Sequence, residues 1–201
     1  MIKRAIGFLK RKLRPAPPED FLLEMILPDR HEIVVPEIDL PSKYILRIFK
    51  DGDEENFNQL LLKADMGVCR LNFWKEHILP DGFFVVEDKA TRQLVATCFA
   101  SHKTSSRHPY AGNLGWLAVD PDHRGSNLGS VVVTAVMRRL LKAGYKRIYL
   151  ETHEFRLPAI KIYLKLGWVP FLYMPDMYQK WQTICAQLKY PFTPEAWEKI
   201  D

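Results

Sequence analysis

The chain contains no apolar run that approaches about 18 residues, the length that a helix needs to cross a bilayer. It has only three cysteines among 201 residues, and they are scattered without metal-ligand spacing: Cys69, Cys98 and Cys185. We therefore expect reduced thiols in a cytoplasmic protein, with neither a disulfide framework nor a zinc site. The six histidines form no close ligand pair, which argues against any other metal site: His31, His77, His102, His108, His123 and His153.

Basic charge is concentrated at one end of the chain. The formal net charge is +5, and residues 1–14 carry six basic and no acidic residues. Without these six, 23 basic residues face 24 acidic ones, so the rest of the chain gives no sign of nucleic-acid binding. Apolar residues at helical spacing make residues 1–14 a basic amphipathic segment. Such a segment suits weak contact with an anionic membrane surface, and equally packing on its own body or on a partner subunit, as in a homodimer.

The remainder divides into a leader, one domain and a tail. Residues 15–42 are rich in proline, which excludes a long helix and predicts an extended leader with an edge strand at Glu32–Val35. Residues 43–190 contain the periodic segments of a single domain. Residues 191–201 form a short C-terminal tail.

The most informative stretch runs from Gly115 to Gly144. An apolar strand ends at Asp120, and helical apolar spacing begins at Ser130. The loop between them opens a helix, whose first N–H groups lack internal partners and attract phosphate. A plain strand–helix turn explains the same loop equally well. The endings typical of a nucleotide P-loop and of the dinucleotide fingerprint are both absent.

The order of motifs resembles a known superfamily. A strand, Val-Asp-Pro-x-x-Arg-Gly-x-x-Leu-Gly, a long helix, another strand and Ala-Ile-x-x-Tyr-x-x-x-Gly are similar to the GNAT acyl-CoA-dependent N-acyltransferases. The resemblance covers roughly Ser42 to Trp168, and the amino-acid sequence of Phe155–Ile160 is most similar to mycothiol synthase-like domains. It implies an α/β (α+β) fold with a mixed, mostly antiparallel central sheet, splayed central strands and helices on both faces.

The resemblance also implies that acetyl-CoA binds as cosubstrate, without a metal, in the gap between the splayed strands. The backbone of Leu117, Ala118 and Val119 would pair with the pantetheine amides. The loop would hold the pyrophosphate through Arg124, Gly125, Ser126, Asn127, Leu128, Gly129 and Ser130. Two positions depart from the family pattern: Asn127 replaces a central glycine, and Arg156 replaces an asparagine common in the family, although an arginine can also reach a phosphate.

For catalysis, Tyr163 matches the family tyrosine that points at the thioester sulfur as general acid, and a buried core aromatic is the alternative. The general base stays open. Glu151 and His153 share one face of their strand by period two. Glu87 and a water chain are further candidates. Trp74 lies on a helix that borders the acceptor cleft in the family, but core packing is the commoner role for such a residue.

The resemblance thus implies an N-acetyltransferase that moves an acetyl group from acetyl-CoA directly to a primary amine on a small molecule or peptide. The alternative is a non-catalytic acyl-CoA-binding or membrane-surface interaction module on the same fold, which the two departures keep open. A third departure concerns the C-terminal part. The family often ends in a two-strand hairpin, whereas only one short strand, Trp168–Tyr173, follows the last motif here. A second strand, if present, must come from elsewhere.

Overall fold

The computed structural model describes residues 22–28 and 34–199. The strands are β1 (Leu23–Ile26), β2 (Tyr44–Ile48), β3 (Ile78–Asp88), β4 (Leu94–His102), β5 (Gly112–Val119), β6 (Ile148–Thr152), β7 (Val169–Leu172) and β8 (Glu198–Lys199). The helices are α1 (Glu54–Lys63), α2 (Leu71–Lys75), α3 (Leu128–Lys142), α4 (Leu157–Lys165) and α5 (Met177–Leu188). The basic segment 1–14 lies outside the described residues. Of the described helices, none has the length and apolar character to cross a membrane.

All eight described strands form one mixed sheet. Their order is β2-β3-β4-β5-β6-β1-β7-β8. The pairs β5–β6 and β7–β8 are parallel, and the other neighbours are antiparallel. The mostly antiparallel sheet predicted from the sequence is confirmed.

The leader supplies the strand that the C-terminal part lacks. β1 lies between β6 and β7, with Leu23 opposite Thr152 and Ile26 opposite Val169. The predicted position of the leader strand was wrong, because Val34 and Val35 are in no strand. Glu32 lies outside the described residues. The strand forms earlier in the leader, where Leu23 and Met25 are fully buried against the helices.

Helices cover both faces of the sheet. On one face, the apolar row of α3 packs with buried residues of α4 and α5, such as Ile160 and Trp181. On the other face, α1 packs through Phe57, Leu60 and Leu61. Alternate residues along a strand point to opposite faces, and adjacent strand residues accordingly enter different clusters of buried side chains.

Asp53 directly precedes α1, where an aspartate commonly caps a helix, but its side chain makes no capping hydrogen bond. The carboxylate instead accepts hydrogen bonds from the Arg47 guanidinium at 2.6 and 2.9 Å and from the Lys50 N–H at 2.9 Å. Arg47 of β2 thus occupies the oxygens that would otherwise cap the helix.

A buried charged network, here called the Glu24 cluster, holds β1 in place. It consists of Glu24, Arg107, His108 and Arg147. The Glu24 carboxylate accepts hydrogen bonds from Arg107 Nε at 2.9 Å and bonds His108 Nε2 at 2.6 Å. Arg147 Nε donates to His108 Nδ1 at 2.9 Å, so Nδ1 is the acceptor and Nε2 the donor of this ring. Arg147 also pairs with Glu198 of β8 at 2.7 Å.

The pKa of Glu24 lies below its ordinary value despite its burial. Burial is the largest single influence and raises the pKa, but the hydrogen bonds from His108 and Arg107, together with the charge of Arg107, outweigh it. Glu24 is therefore an ionised carboxylate inside the sheet, and its partners come from the loop between β4 and β5.

Candidate active site

The two central parallel strands separate within the sheet. β5 and β6 pair only from Gly112 to Leu114, opposite Ile148 to Leu150. Beyond Leu114, β5 has no strand neighbour on that side among the described residues. The gap opens toward the carboxyl ends of both strands. This confirms the predicted splay and places the backbone of Leu117, Ala118 and Val119 along one wall of the gap.

An irregularity in β5 lies at the start of this wall. Thr97 of β4 is opposite Ala118, whereas Phe99 is opposite Gly115, so one residue of β4 faces two of β5. Trp116 adopts a φ of 57°, which is a rare backbone conformation for an aromatic residue. Such bulges re-aim backbone groups and side chains, and this one lies where β5 leaves its partner.

The predicted phosphate loop lies at the same end of the gap. Asn127 is the N-cap of α3 and has a φ of 58°, the left-handed conformation expected for this asparagine. Val131 N donates to Asn127 O at 3.2 Å, so the N–H groups of the three preceding residues lie before the first bond of the helix. These residues are Leu128, Gly129 and Ser130.

Two glycines of the loop have different surroundings. A Cβ built at Gly125, which has a φ of 83°, would meet nothing within 4 Å. A Cβ at Gly129 would lie 2.6 Å from Ile162 Cδ1 of α4. The missing side chain at Gly129 therefore gives α4 room to pack on α3, whereas Gly125 leaves open space that a ligand can enter.

Side chains from distant elements hold the loop, and the sequence analysis missed them. The Tyr44 hydroxyl lies 3.0 Å from His123 Nδ1 and donates to Ser126 Oγ at 3.4 Å. Lys63 at the end of α1 pairs with the buried Asp120 at 2.8 Å. Arg124, by contrast, is exposed and makes no ion pair with any described residue. Contacts from Tyr44 and Lys63 thus hold the loop in place, and the Arg124 side chain stays available to a ligand.

Tyr163 lies on the buried side of α4 and is 4% exposed. Burial raises the pKa of its hydroxyl, the nearby Cys98 thiol acts in the same direction, and Arg156 opposes them. The hydroxyl therefore keeps its proton at neutral pH. Within the described part of the chain it has no hydrogen-bond partner. A core tyrosine and a general acid would both be buried, but a hydroxyl kept without a partner has no evident structural role.

Arg156 interacts electrostatically with both Tyr163 and His153. Arg156 precedes α4 and is half-buried, and burial lowers the pKa of its guanidinium. His153 stacks on Phe155 at 5.0 Å, and burial together with the charge of Arg156 lowers its pKa. Arg156 thus lies within electrostatic reach of both Tyr163 and His153, and the lowered pKa of His153 favours the neutral imidazole, which can accept a proton.

Glu151, by contrast, already has a cationic partner. It pairs with Lys103, which follows β4, and it is not free in the structure. Glu151 lies immediately after Leu150, the last residue of β6 that pairs with β5. Glu87, the other carboxylate considered, is buried on β3 and pairs with Arg47 and Arg92. None of the described residues form a group of three or more His, Cys, Asp or Glu that could hold a metal ion.

The chain belongs to the acetyltransferase (GNAT) family, whose model matches residues 43–168, more than half of the chain. The fold and the gap in the sheet agree with this assignment. Among solved structures, the chain is similar to a GCN5-related N-acetyltransferase from Sphaerobacter thermophilus (TM-score 0.57, 16% identity, 74% of this chain and 48% of that one). A putative GNAT acetyltransferase from Novosphingobium aromaticivorans gives a TM-score of 0.55 at 19% identity, covering 74% of this chain and 59% of that one.

Curated relatives are more similar in sequence. The mycothiol acetyltransferase of Pseudarthrobacter chlorophenolicus is 27% identical over 68% of this chain. That of Actinosynnema mirum is also 27% identical, over 66% of this chain. The chain spans about half the length of these relatives, 46% and 47%. The resemblance to GNAT proteins and to mycothiol synthase-like domains seen in the sequence is confirmed.

Proposed function

We propose that the protein is an N-acetyltransferase that transfers an acetyl group from acetyl-CoA directly to a primary amine. The observation that carries the proposal is the gap between β5 and β6. At its open end lies the loop before α3, where Arg124 has no ion pair with any described residue. The Tyr163 hydroxyl has no hydrogen-bond partner in the described part of the chain. The gap, the loop and Tyr163 together offer unpaired strand backbone, phosphate donors and a proton donor.

The hydrogen-bonding and charged groups around the gap match the phosphates and amides of acetyl-CoA. The helix end and Arg124 to Ser130 offer N–H groups and a guanidinium to phosphates. The open space at Gly125 lets a ligand approach the backbone, whereas the Asn127 side chain narrows that approach. Leu117, Ala118 and Val119 offer backbone groups to the amides of an extended arm. Arg156, which is half-buried without an ion pair, supplies a second positive charge at the same edge. When bound, acetyl-CoA supplies a thioester-activated acetyl group.

Residues of the chain would then transfer two protons, one from the acceptor amine and one to the leaving sulfur. The acceptor nitrogen bonds to the acetyl carbon as the carbon–sulfur bond breaks, and the amine loses one proton. His153, or Glu151 once it is released from Lys103, takes that proton directly or through water. Tyr163 donates its proton to the leaving sulfur and recovers one from solvent. Because Tyr163 remains protonated at neutral pH, it is suited to this role.

The acceptor is a further part of the proposal. The curated relatives are named mycothiol acetyltransferases, which supports a small-molecule amine. A peptide amine remains compatible with the open gap.

Two measurements test the function. Titration calorimetry with CoA measures cofactor binding, and thiol release from acetyl-CoA measures transfer to a panel of small amines, amino acids, aminoglycosides and peptides. We expect CoA to bind and at least one amine to accelerate thiol release. Absence of CoA binding would refute the proposal. CoA binding without thiol release for any amine would favour a non-catalytic acyl-CoA-binding module.

A further inference from the structure

The ammonium group of Lys103 lies between a carboxylate and an aromatic ring. Lys103 pairs with Glu151, and its Nζ lies 5.9 Å from the centre of the Trp74 ring. A carboxylate bonds the N–H groups of a primary ammonium, and the face of an indole attracts its positive charge. The three residues come from the end of β4, from β6 and from α2. Glu151 and Trp74 thus hold one primary ammonium group, that of Lys103.

This ammonium site lies where β5 and β6 part. Glu151 is the first residue of β6 beyond the pairing with β5. The Trp74 ring packs on Phe99 at 5.5 Å between ring centres. A Cβ at Gly115 would in turn lie 3.0 Å from the Phe99 ring, so Phe99 connects Trp74 to β5 at its bulge. The ammonium site therefore borders the end of the gap where β5 and β6 separate, on the sheet face that α1 and α2 cover.

The ion pair itself contributes little to stability. The side chains of Lys103 and Glu151 are 31% and 22% exposed, and ion pairs that remain in contact with solvent are worth about 0–1 kcal/mol. Arg107, the other cation near Glu151, is already bound to Glu24 in the Glu24 cluster. Lys103 is therefore the group that can leave most easily.

We propose that Glu151 and Trp74 form the subsite for the ammonium group of the acceptor, and that Lys103 fills this subsite until an acceptor displaces it. The acceptor class is then a primary amine on an unbranched alkyl stem, because such a stem reproduces the lysine side chain. This inference deepens the proposed function and rests on it for the identity of the reaction. The binding of an ammonium group can nevertheless be measured without acetyl-CoA.

The probe is n-butylammonium, which reproduces the four-carbon stem and charge of Lys103. Its affinity is measured by titration calorimetry at constant ionic strength, for the unmodified protein and for Lys103→Ala. We expect the variant to bind at least about tenfold more tightly, because a tethered competitor that fills the subsite most of the time has been removed. Lys142→Ala, which removes an exposed lysine from the end of α3, is the matched control and should bind like the unmodified protein.

Two further measurements separate the subsite from general charge effects. Adding Glu151→Gln to Lys103→Ala should abolish the gain, and n-butanol, which has the same stem without the charge, should not bind. Lys103→Met repeats the test in case Lys103→Ala does not fold. Equal affinity in the unmodified protein and both Lys103 variants would overturn the inference, as would binding that survives the loss of Glu151. If CoA fails to bind while n-butylammonium behaves as expected, only the proposed function is refuted.

Discussion

The Glu24 cluster and the open end of the gap both concentrate charge on the same sheet, yet they differ in how that charge is satisfied. In the Glu24 cluster a buried carboxylate has two cationic or hydrogen-bonding partners, and His108 uses both ring nitrogens. At the gap, Arg124 and Arg156 have no ion pair with any described residue. A charge whose partners lie within the protein supports the fold, whereas a charge left without them is available to a ligand. Four substitutions and one pH titration can break or sharpen this comparison.

The largest effect should come from Tyr163→Phe. The ring and its packing stay, and only a hydroxyl without a partner is lost, so the melting temperature should hardly change. Loss of a general acid typically lowers turnover by roughly 10²–10⁴-fold. The rate of thiol release with the best amine measures it, and Tyr178→Phe, on an exposed part of α5, serves as control. Normal turnover with an earlier melt would make Tyr163 a structural residue.

Glu24→Ala should act on stability instead. It leaves Arg107 and His108 without their buried partner, and breaking a buried ion pair costs about 3–5 kcal/mol of unfolding free energy. Chemical denaturation measures this change. Glu37→Ala is the matched control, because the Glu37 side chain is 99% exposed. A stability loss no larger than that of the control would show that the cluster does not hold β1.

Arg124→Ala should weaken CoA binding without affecting the fold. A hydrogen bond to a charged group contributes about 1.5–3 kcal/mol, and the exposure of Arg124 favours the lower end, so we expect roughly a tenfold rise in Kd. Lys161→Ala removes an exposed charge from α4 as a control. An unchanged Kd would place the phosphates elsewhere.

The Glu24 cluster also predicts a response to acid. The pKa of Glu24 in the folded protein lies below its ordinary value of 4.5. Its contribution to stability is therefore complete above that value and is lost as the pH falls through the folded pKa. The difference in unfolding free energy between the unmodified protein and Glu24→Gln should shrink below pH 4.5. A difference that stays constant from pH 4.5 down to about pH 3 would contradict a lowered pKa of Glu24. An unperturbed carboxyl group, such as that of Glu24 in the unfolded chain, takes up its proton over roughly this pH range.

The smallest effect should come from Tyr44→Phe. The loop loses its bonds to one hydroxyl, and a hydrogen bond contributes about 0.5–1.5 kcal/mol. We expect CoA affinity to fall by a few-fold, since the loop is less well positioned, while turnover at saturating acetyl-CoA is preserved. A fall in turnover with unchanged affinity would assign Tyr44 a different role.

Much of the fold follows from local patterns. The alternation of the strands, the apolar rows of α1, α3 and α4, and the left-handed Asn127 are properties of neighbouring residues. β1 was missed because Leu23-Glu24-Met25-Ile26 places a charged residue within a strand of a proline-rich segment. Only the distant Arg107 and His108 make Glu24 tolerable there.

Candidate site residues within one contiguous motif could be predicted from the sequence. Contacts between elements that are distant in the chain could not. The loop before α3 and Tyr163 each lie within a contiguous motif. The bonds from Tyr44 to Ser126 and from Lys103 to Glu151 join elements far apart in the chain, and no local spacing indicates them. The pairing of Lys103 with Glu151 depends in particular on the path of the loop after β4 across the sheet.

The position of β1 has a consequence for the order in which the protein folds. Residues 23–26 leave the ribosome before almost everything else described, but both of their neighbours, β6 and β7, follow more than 100 residues later in the chain. The strand must therefore wait, unpaired, until those two strands have been made. Pairings between such distant segments slow folding, because the entropy of a long loop is lost before any contact forms. Insertion of β1 should be among the last steps in refolding, and β6 and β7 expose backbone to aggregation until it occurs.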